Sequence, residues 1–327
     1  MTSQPAGDGS QYPKFRELPT LPGSPERHAW DIWGRDDQIG CMNFAGAEQV
    51  RQALTTVSEG TVVSLSLPLN EPAPGIFPKR SPFRHTILMG SHGRDDRLDG
   101  FFPQFSSQWD GLRHVRYRQY GFWGGRQDEA VDSGGELGVE HWSRRGVVTR
   151  GVLVDVKGFH ERRGSVMAPN ERYPLTAERL DEVLAAQGSV LRQGDVLLIR
   201  TGWLEWYLDL AEEERATLQG SVGQGPGALA CPGLDAHPET AEWLWDHRVA
   251  GVASDNPALE ALPVDKNVGF FHYRLIPLLG MAVGEFWNLG AIAAACAGLG
   301  RFEFLLMSAV MDVPGGVGSP ANAYAVL

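Results

Sequence analysis

The sequence predicts an α/β or α+β fold class built on a mixed sheet, and three observations carry that prediction. Short apolar, β-branched runs read as strands and are interleaved with helix-length amphipathic runs. Several strands follow one another with no helix between them, so the order is not a strict βαβ repeat. No linker interrupts the chain after residue 30 and no internal repeat is present, so residues 27–327 count as one domain. A chain of 327 residues buries a large core without disulfides or a structural metal.

The elements follow in order. Residues 1–26 carry five prolines (Pro5, Pro13, Pro19, Pro22, Pro25) and few aliphatics. Such a segment buries too little surface to offset its ordering entropy and reads as an extended or disordered arm, or as one that packs over a neighbouring subunit. It lacks the basic start and apolar run of a secretory signal. Ala45 to Glu59 places Val50 and Leu54 at i and i+4 and ends at Gly60, a helix with a glycine stop. Thr61 to Leu67 (TVVSLSL) alternates as a strand does. Asn70 to Asp110 is rich in Gly, Pro, Arg and Asp and reads as active-site loops broken by one short strand, His85 to Met89. Val147 to Val156 is a buried strand, Thr176 to Ala186 a helix stopped at Gly188, and Asp195 to Thr201 an apolar strand. Pro238 to His247 is a helix with Trp243 on its apolar side, followed by the strand Val249 to Ala253. A helix near Phe270 to Leu279, a strand Met281 to Glu285, a helix Gly290 to Leu299 and a strand Phe302 to Met311 complete the pass.

Composition excludes several functions. With 40 Asp+Glu against 29 Lys+Arg the formal charge is −11, and a surface of that sign repels phosphate, so no nucleic-acid partner is expected. The most apolar long stretch, Leu289 to Leu299, falls short of the roughly 18–20 residues that span a bilayer, so no membrane role is expected. Cys41, Cys231 and Cys296 form no CxxC pair, which argues against a disulfide framework or a zinc knuckle and for a cytoplasmic location. Ten Trp, 40 Gly and 21 Pro suggest many loops with aromatic walls.

The common catalytic signatures are missing. GxSxG, GxxxxGK[ST] and HExxH do not occur, and the Gly-rich runs Gly220 to Gly227 and Gly315 to Gly318 do not stand between a strand and a helix as GxGxxG does. What remains is a set of His, Asp, Glu and Gln side chains. In QFSSQWDGLRH, Gln104, Gln108, Asp110 and His114 fall at even separations, so in an extended segment they share one face. Gln108 and Asp110 would lie about 7 Å apart and can meet one ion, whereas His114 is about 13 Å from Asp110 unless the chain turns. Gly111 can make that turn. His114 is then either a ligand brought back by the bend or an acid/base beside the ion. His272 and Glu285, thirteen residues apart, have Gly280 and Gly284 to allow close backbone approach. Taken alone, His272 reads equally as a core residue and Asp110 as a turn cap. Asp255, in VASDNP, reads as a turn cap rather than a support for the site.

These residues gain weight from their surroundings. WGRDDQIGCMN (Trp33 to Asn43), with the helix and TVVSLSLPL that follow, resembles the opening of the cyclase family, which includes bacterial kynurenine formamidase and isatin hydrolase. HYRLIPLLGMAVGEFWNL (His272 to Leu289) and GGVGSPANAYAVL (Gly315 to Leu327) resemble its closing motifs. The resemblance spans most of residues 30–327. It implies a single compact domain with a central mixed β-sheet or barrel-like β core flanked by helices, of the swivelling β/β/α type. It also implies metal-dependent hydrolysis of a small cyclic or aryl amide or lactone, in a homodimer or homotetramer.

The family's metal motif, HxGTHxDxPxH, aligns with QFSSQWDGLRH. Asp110 and His114 fall on its Asp and last His, Gln104 and Gln108 replace its first two His, and Ser106, Ser107 and Leu112 stand for its Gly, Thr and Pro. His272 and Glu285 match the family's later His and Glu ligands. Amide oxygens are weaker ligands than imidazole, so the implied site shrinks to one divalent ion, Mn²⁺ or Zn²⁺, held by Asp110, His272 and Glu285 with Gln108 and Gln104. A metal-free site is the alternative. In the hydrolytic reading His114 acts as general base toward water and then as acid toward the leaving group, with Asp110 beside it. His85, Phe101, Phe102, Trp109 and Trp123, with Trp30, Trp33 and Phe122 nearby, are the expected walls of the substrate pocket. A lyase, cyclase or isomerase that moves protons without adding water, and a non-catalytic small-molecule binder, are the rival readings.

Overall fold

The computed structural model describes residues 12–223 and 227–327; part of the arm (1–11) and part of the Gly220 to Gly227 run lie outside the described residues. In chain order the strands are β1 (Val62–Ser64), β2 (Arg84–Met89), β3 (Arg94–Asp99), β4 (Gln108–Asp110), β5 (Val147–Asp155), β6 (Tyr173–Leu175), β7 (Val196–Arg200), β8 (Pro232–Leu234), β9 (Gly251–Ser254), β10 (Ala282–Glu285), β11 (Glu303–Ser308), β12 (Gly318–Pro320) and β13 (Ala323–Val326). Nine of them form one sheet in the order β1-β13-β11-β5-β7-β9-β10-β4-β12. Its centre, β5, β7, β9 and β10, is parallel, and its flanks are antiparallel. The parallel strands are unbroken apolar runs because both of their faces are covered: Val152 to Val154 and Val196 to Ile199 are fully buried.

The sheet must curl. β13 and β12 stand second and last in the strand order, yet only Ala321 and Asn322 separate them in sequence. In a flat sheet seven strand spacings put them about 34 Å apart, whereas the chain from Pro320 to Ala323 reaches about 11 Å at most. The sheet therefore bends round until its two ends approach, and the Trp109 Nε1–H of β4 reaches Ser308 Oγ of β11 at 3.0 Å across the interior. The expected α/β domain with a barrel-like mixed sheet and flanking helices is the fold observed.

Helices cover the sheet where the sequence supplies caps. Ala177–Gln187 begins at Thr176, whose hydroxyl accepts from Arg179 N, and stops at Gly188 with φ 70°. It packs on β5 and on the helix Pro238–Asp246, while Ala47–Leu54 packs on β5 and β11. No helix among the described residues is long and apolar enough to cross a membrane. Cys41, Cys231 and Cys296 are free and buried.

Three expectations need correction. From residue 12 onward the expected arm docks on its own domain: Phe15, Leu18 and Leu21 are buried, Phe15 N donates to Asp246 Oδ1 at 2.8 Å, and Trp245 Nε1 donates to Pro13 O at 3.0 Å. Three apolar side chains spaced three residues apart suffice to seat it. The single strand expected near His85 is half of a hairpin, because β2 pairs with β3, and its two-stranded sheet stands apart with nearly every residue exposed. β3 (RDDRLD) has no apolar alternation to announce it. Within Gln104 to His114 only Gln108–Asp110 is a strand, and the turn anticipated at Gly111 is present, its carbonyl accepting from His114 N at 2.9 Å. Helices at Asp128–Gly134, Glu140–Arg145, Trp203–Asp209 and Glu212–Leu218 lie in stretches to which no element was assigned.

Candidate metal centre

Strands β4 and β10 are antiparallel neighbours with Gln108 opposite Glu285 and Asp110 opposite Val283. Alternation sends Gln108, Asp110 and Glu285 to one face and Trp109 to the other, where its ring meets Trp287 at 4.8 Å. Gln108 Nε2 donates to Glu285 Oε2 at 2.6 Å. His272 arrives from the short helix His272–Arg274, which runs on into a π-helical turn, Leu275–Leu279, closed by Gly280 at φ 70°. Irregular turns of this kind often mark functional positions in helices. His272 Nε2 lies 3.2 Å from Glu285 Oε1 and 3.7 Å from Asp110 Oδ2. One ligand atom from each of Asp110, His272 and Glu285 falls within 4.8 Å of the others, and all three residues are buried.

Around this triad stands a supporting set. His272 Nδ1 donates to Glu260 Oε2 at 2.8 Å, Glu260 Oε1 accepts from Phe271 N at 3.2 Å, and the His272 ring stacks on Phe270 with centroids 4.3 Å apart. His114 Nε2 is 3.6 Å from Asp110 Oδ2. Gln104 Nε2 donates to Asp110 Oδ1 and lies 3.2 Å from His114 Nδ1. The backbone is held in the left-handed region beside both glutamates, at Leu259 (φ 58°) and Phe286 (φ 56°). Such conformations cost about 1–3 kcal/mol each and persist where the surroundings over-determine them.

Electrostatics follow from burial and crowding. Burial, and then the neighbouring Asp110 charge, push the Glu285 carboxyl up to about 7. Burial acts the same way on Asp110, but the His114 and His272 charges outweigh it and hold the group at about 2. Burial alone would lower His272, yet Glu260, Asp110 and Glu285 together carry it well above its ordinary value. His114 is lowered by burial, against the pull of Asp110. Positive charge therefore stands between the two buried carboxylates, carried here by His272, and a bound cation can take that place.

The residues fit a divalent ion. Once an ion takes the place of the Nε2 proton, His272, its Nδ1–H committed to Glu260, turns the Nε2 lone pair toward the Asp110 and Glu285 oxygens, so three electron-pair donors face one ion. Gln108 Oε1 is buried with no hydrogen-bond partner, a further oxygen on the same strand face. Three or four donors with oxygen in the majority suit a hard or borderline cation.

A cavity of about 210 Å³ opens onto the triad, lined by Asp110, His114, His272 and Glu285 at its polar end. Gln104 and Gln108 sit beside the triad. None of the five expected pocket residues lines this cavity. Trp109 is core by strand alternation, and Trp123 is buried with its Nε1 on Asp37 Oδ2 at 3.0 Å. His85 is on the exposed hairpin, 2.5 Å from Asp96 Oδ1. Phe101 lines a separate groove beside β1 and β13, and Phe102 is exposed. The aromatic walls are instead Phe77 and Phe270. Sequence reasoning also missed Glu260 and Arg80; neither lies at a regular spacing from the triad, though Arg80 falls inside the stretch expected to form active-site loops. Asp255 caps a turn, accepting from Thr201 N, Thr201 Oγ1 and Gly202 N at 2.8, 2.7 and 2.6 Å.

Known proteins bear on this arrangement. The Cyclase family model matches residues 63–261. A crystal structure described as that of a novel cyclase is 33% identical, covers 92% of this chain and 99% of its own, and superposes with a TM-score of 0.80. Isatin hydrolase A from Labrenzia aggregata, in a structure with benzyl benzoate, shares 15% identity over 84% of this chain and 98% of its own at a TM-score of 0.58. Isatin hydrolase A from Ralstonia solanacearum shares 17% over 81% and 91% at 0.54. At such identities these two share the fold. No curated protein matches the chain. The family model covers more than half of the sequence and the cyclase structure nearly all of it, so this chain belongs to the Cyclase family.

Proposed function

We propose that this protein is a metal-dependent hydrolase that opens a C–N or C–O bond of a small cyclic or aryl amide or lactone. The observation that carries the reading is the buried triad of Asp110, His272 and Glu285, with His114 beside it, lining a cavity whose other walls are largely apolar. The fold shared with isatin hydrolases supports the substrate class. Asp110, His272 and Glu285, with Gln108 beside them, would hold one Mn²⁺ or Zn²⁺. When bound, such an ion lowers the pKa of water and polarises a carbonyl oxygen.

The chain's own residues do the rest. Phe77 and Phe270 face the cavity and seat an apolar ring away from bulk water. Gln104 offers amide hydrogens to Asp110 Oδ1 and His114 Nδ1, so the neutral His114 ring carries its proton on Nε2. Neutral, with its pKa lowered by burial, the ring is the base of the site: it takes the proton of the attacking water and, as imidazolium, passes a proton to the leaving atom, the order expected from sequence. Glu260 keeps His272 oriented, and Gln108 keeps Glu285 oriented.

The test uses an amide or lactone that the wild type turns over in water enriched in ¹⁸O. One labelled oxygen per turnover is expected in the product, with activity falling at least about 100-fold in Asp110→Ala and His114→Ala. Product without label would replace this reading with the lyase or isomerase one, and full activity in either variant would remove the residue from the mechanism.

A further inference from the structure

The cavity has one strongly basic side chain at its polar end, and the mechanism does not use it. Arg80 lines the same space as Asp110, His114 and Glu285. Its Nη1 donates to Gln104 O at 2.9 Å, and its guanidinium carbon lies 4.8 Å from the centroid of the Phe77 ring. Among the described residues it has no ion-pair partner: the nearby carboxylates of Asp110 and Glu285 face His114 and His272 instead. A guanidinium has five N–H donors in a planar fork, and here one is committed to a main-chain carbonyl and the plane is steadied by an aromatic ring. Among the described residues no hydrogen-bond acceptor meets the remaining donors, and the charge acts at longer range on Asp110 and Glu285.

Size narrows what can sit there. A cavity of about 150 Å³ lined by apolar side chains takes one benzene. The space of about 210 Å³ here, walled by Phe77, Pro257, Leu262 and Phe270, has room for one ring with short polar substituents. A ring placed against those walls has the triad and Arg80 as its polar surroundings. An unpaired guanidinium beside such a ring is matched by a planar anion, which it binds through two parallel N–H···O bonds.

We propose that Arg80 anchors a carboxylate on the substrate, so that the compound opened at this site is a small aromatic or cyclic acid rather than a neutral amide or lactone. The proposal rests on the hydrolase reading for its reaction, but its test reads binding alone and succeeds or fails whether or not water is added to anything.

The probes are 2-carbamoylbenzoate and its neutral isostere phthalamide, titrated calorimetrically into the wild type, Arg80→Gln and Arg80→Lys. The wild type is expected to bind the acid about tenfold or more tightly than the diamide, the usual size of a charge-assisted pair. Arg80→Gln should bring the two affinities within about twofold by weakening the acid alone, and Arg80→Lys should keep part of the preference because it retains charge without the fork. A thermal melt like that of the wild type shows that the loop is intact in Arg80→Gln; if that variant does not fold, the preference in Arg80→Lys decides. Equal affinity for the two probes in the wild type, no binding of the acid, or a preference that survives Arg80→Gln each overturns the proposal.

Discussion

Glu260 shows how a residue can govern the site without facing a substrate. It holds His272 Nδ1 at 2.8 Å and is itself fixed by Phe271 N, so it sets both the tautomer and the tilt of the ring. Glu260→Gln keeps a hydrogen-bonding group in place but removes the charge that makes the imidazole a better ligand. Mn²⁺ affinity is expected to fall about 10–100-fold, with activity recovering at saturating metal. Titration of the metal against both proteins measures this, and unchanged affinity would deny Glu260 the role. Asp255 makes a second case, at a distance from the reaction. Burial outweighs its three donors and raises its carboxyl to about 6. An unfolded aspartate sits near 3.9, so the folded state binds this proton more tightly. Its contribution to stability is therefore complete below the unfolded value and lost as pH rises through about 6. Between pH 4 and pH 7 the stability of the wild type relative to Asp255→Asn should fall by about 2 kcal/mol, measured by urea unfolding at both pH values. A difference that does not change with pH would mean that the carboxyl ionises normally.

Among elements, the pairing of β4 with β10 decides whether a site exists. Gly284 lies between Val283 and Glu285, and a Cβ there would meet both Ala253 Cβ and Trp287 Nε1 at 2.6 Å. Gly284→Ala is expected to cost about 1–3 kcal/mol and to weaken metal binding by shifting Glu285. Gly298→Ala has open space within the helix Gly290–Leu299, so that control should be neutral or stabilising by up to about 1 kcal/mol. Chemical denaturation and metal titration of the pair separate strand packing from a general effect of added bulk. Equal behaviour of the two variants would show that β10 tolerates displacement. The same two strands mark what a reader of the sequence can see. β5, β7 and β10 are legible because their apolar runs are continuous, whereas β4 (QWD) and β12 (GSP) have three residues and no propensity; the edge of β10 makes β4 a strand, and β4 in turn makes β12 one. Asp110, His272 and Glu285 were legible from motif resemblance. Trp109 was misassigned to the pocket although alternation alone places it opposite Gln108 and Asp110. Glu260 and Arg80 were not legible, because tertiary folding of loops, with no period in the sequence, brings them to the triad.

At the scale of the whole molecule, the triad joins distant parts of the chain: Asp110 on β4, His272 on a helical turn and Glu285 on β10. The pairing of β4 with β10 and the helical turn that leads into β10 make them neighbours, and without a metal the His272 charge is what stands between the buried Asp110 and Glu285. A divalent ion that binds only this folded arrangement must therefore stabilise the entire fold, by about 2.7 kcal/mol when the free ion is at 100 times its dissociation constant. The linkage has a direction that can be checked in one set of melts. Adding Mn²⁺ to chelator-treated wild type should raise the melting temperature by several degrees, and chelator should reverse the rise. Asp110→Asn removes a ligand and also the like charge beside Glu285. Because the His114 and His272 charges hold Asp110 ionised, the metal-free melt of the variant should lie at or below that of the metal-free wild type, while its response to Mn²⁺ should be small or absent. Those two outcomes separate a built metal centre from a cluster of acids that happens to be buried: in the latter the wild type would not respond to metal at all, or the variant would respond as strongly as the wild type.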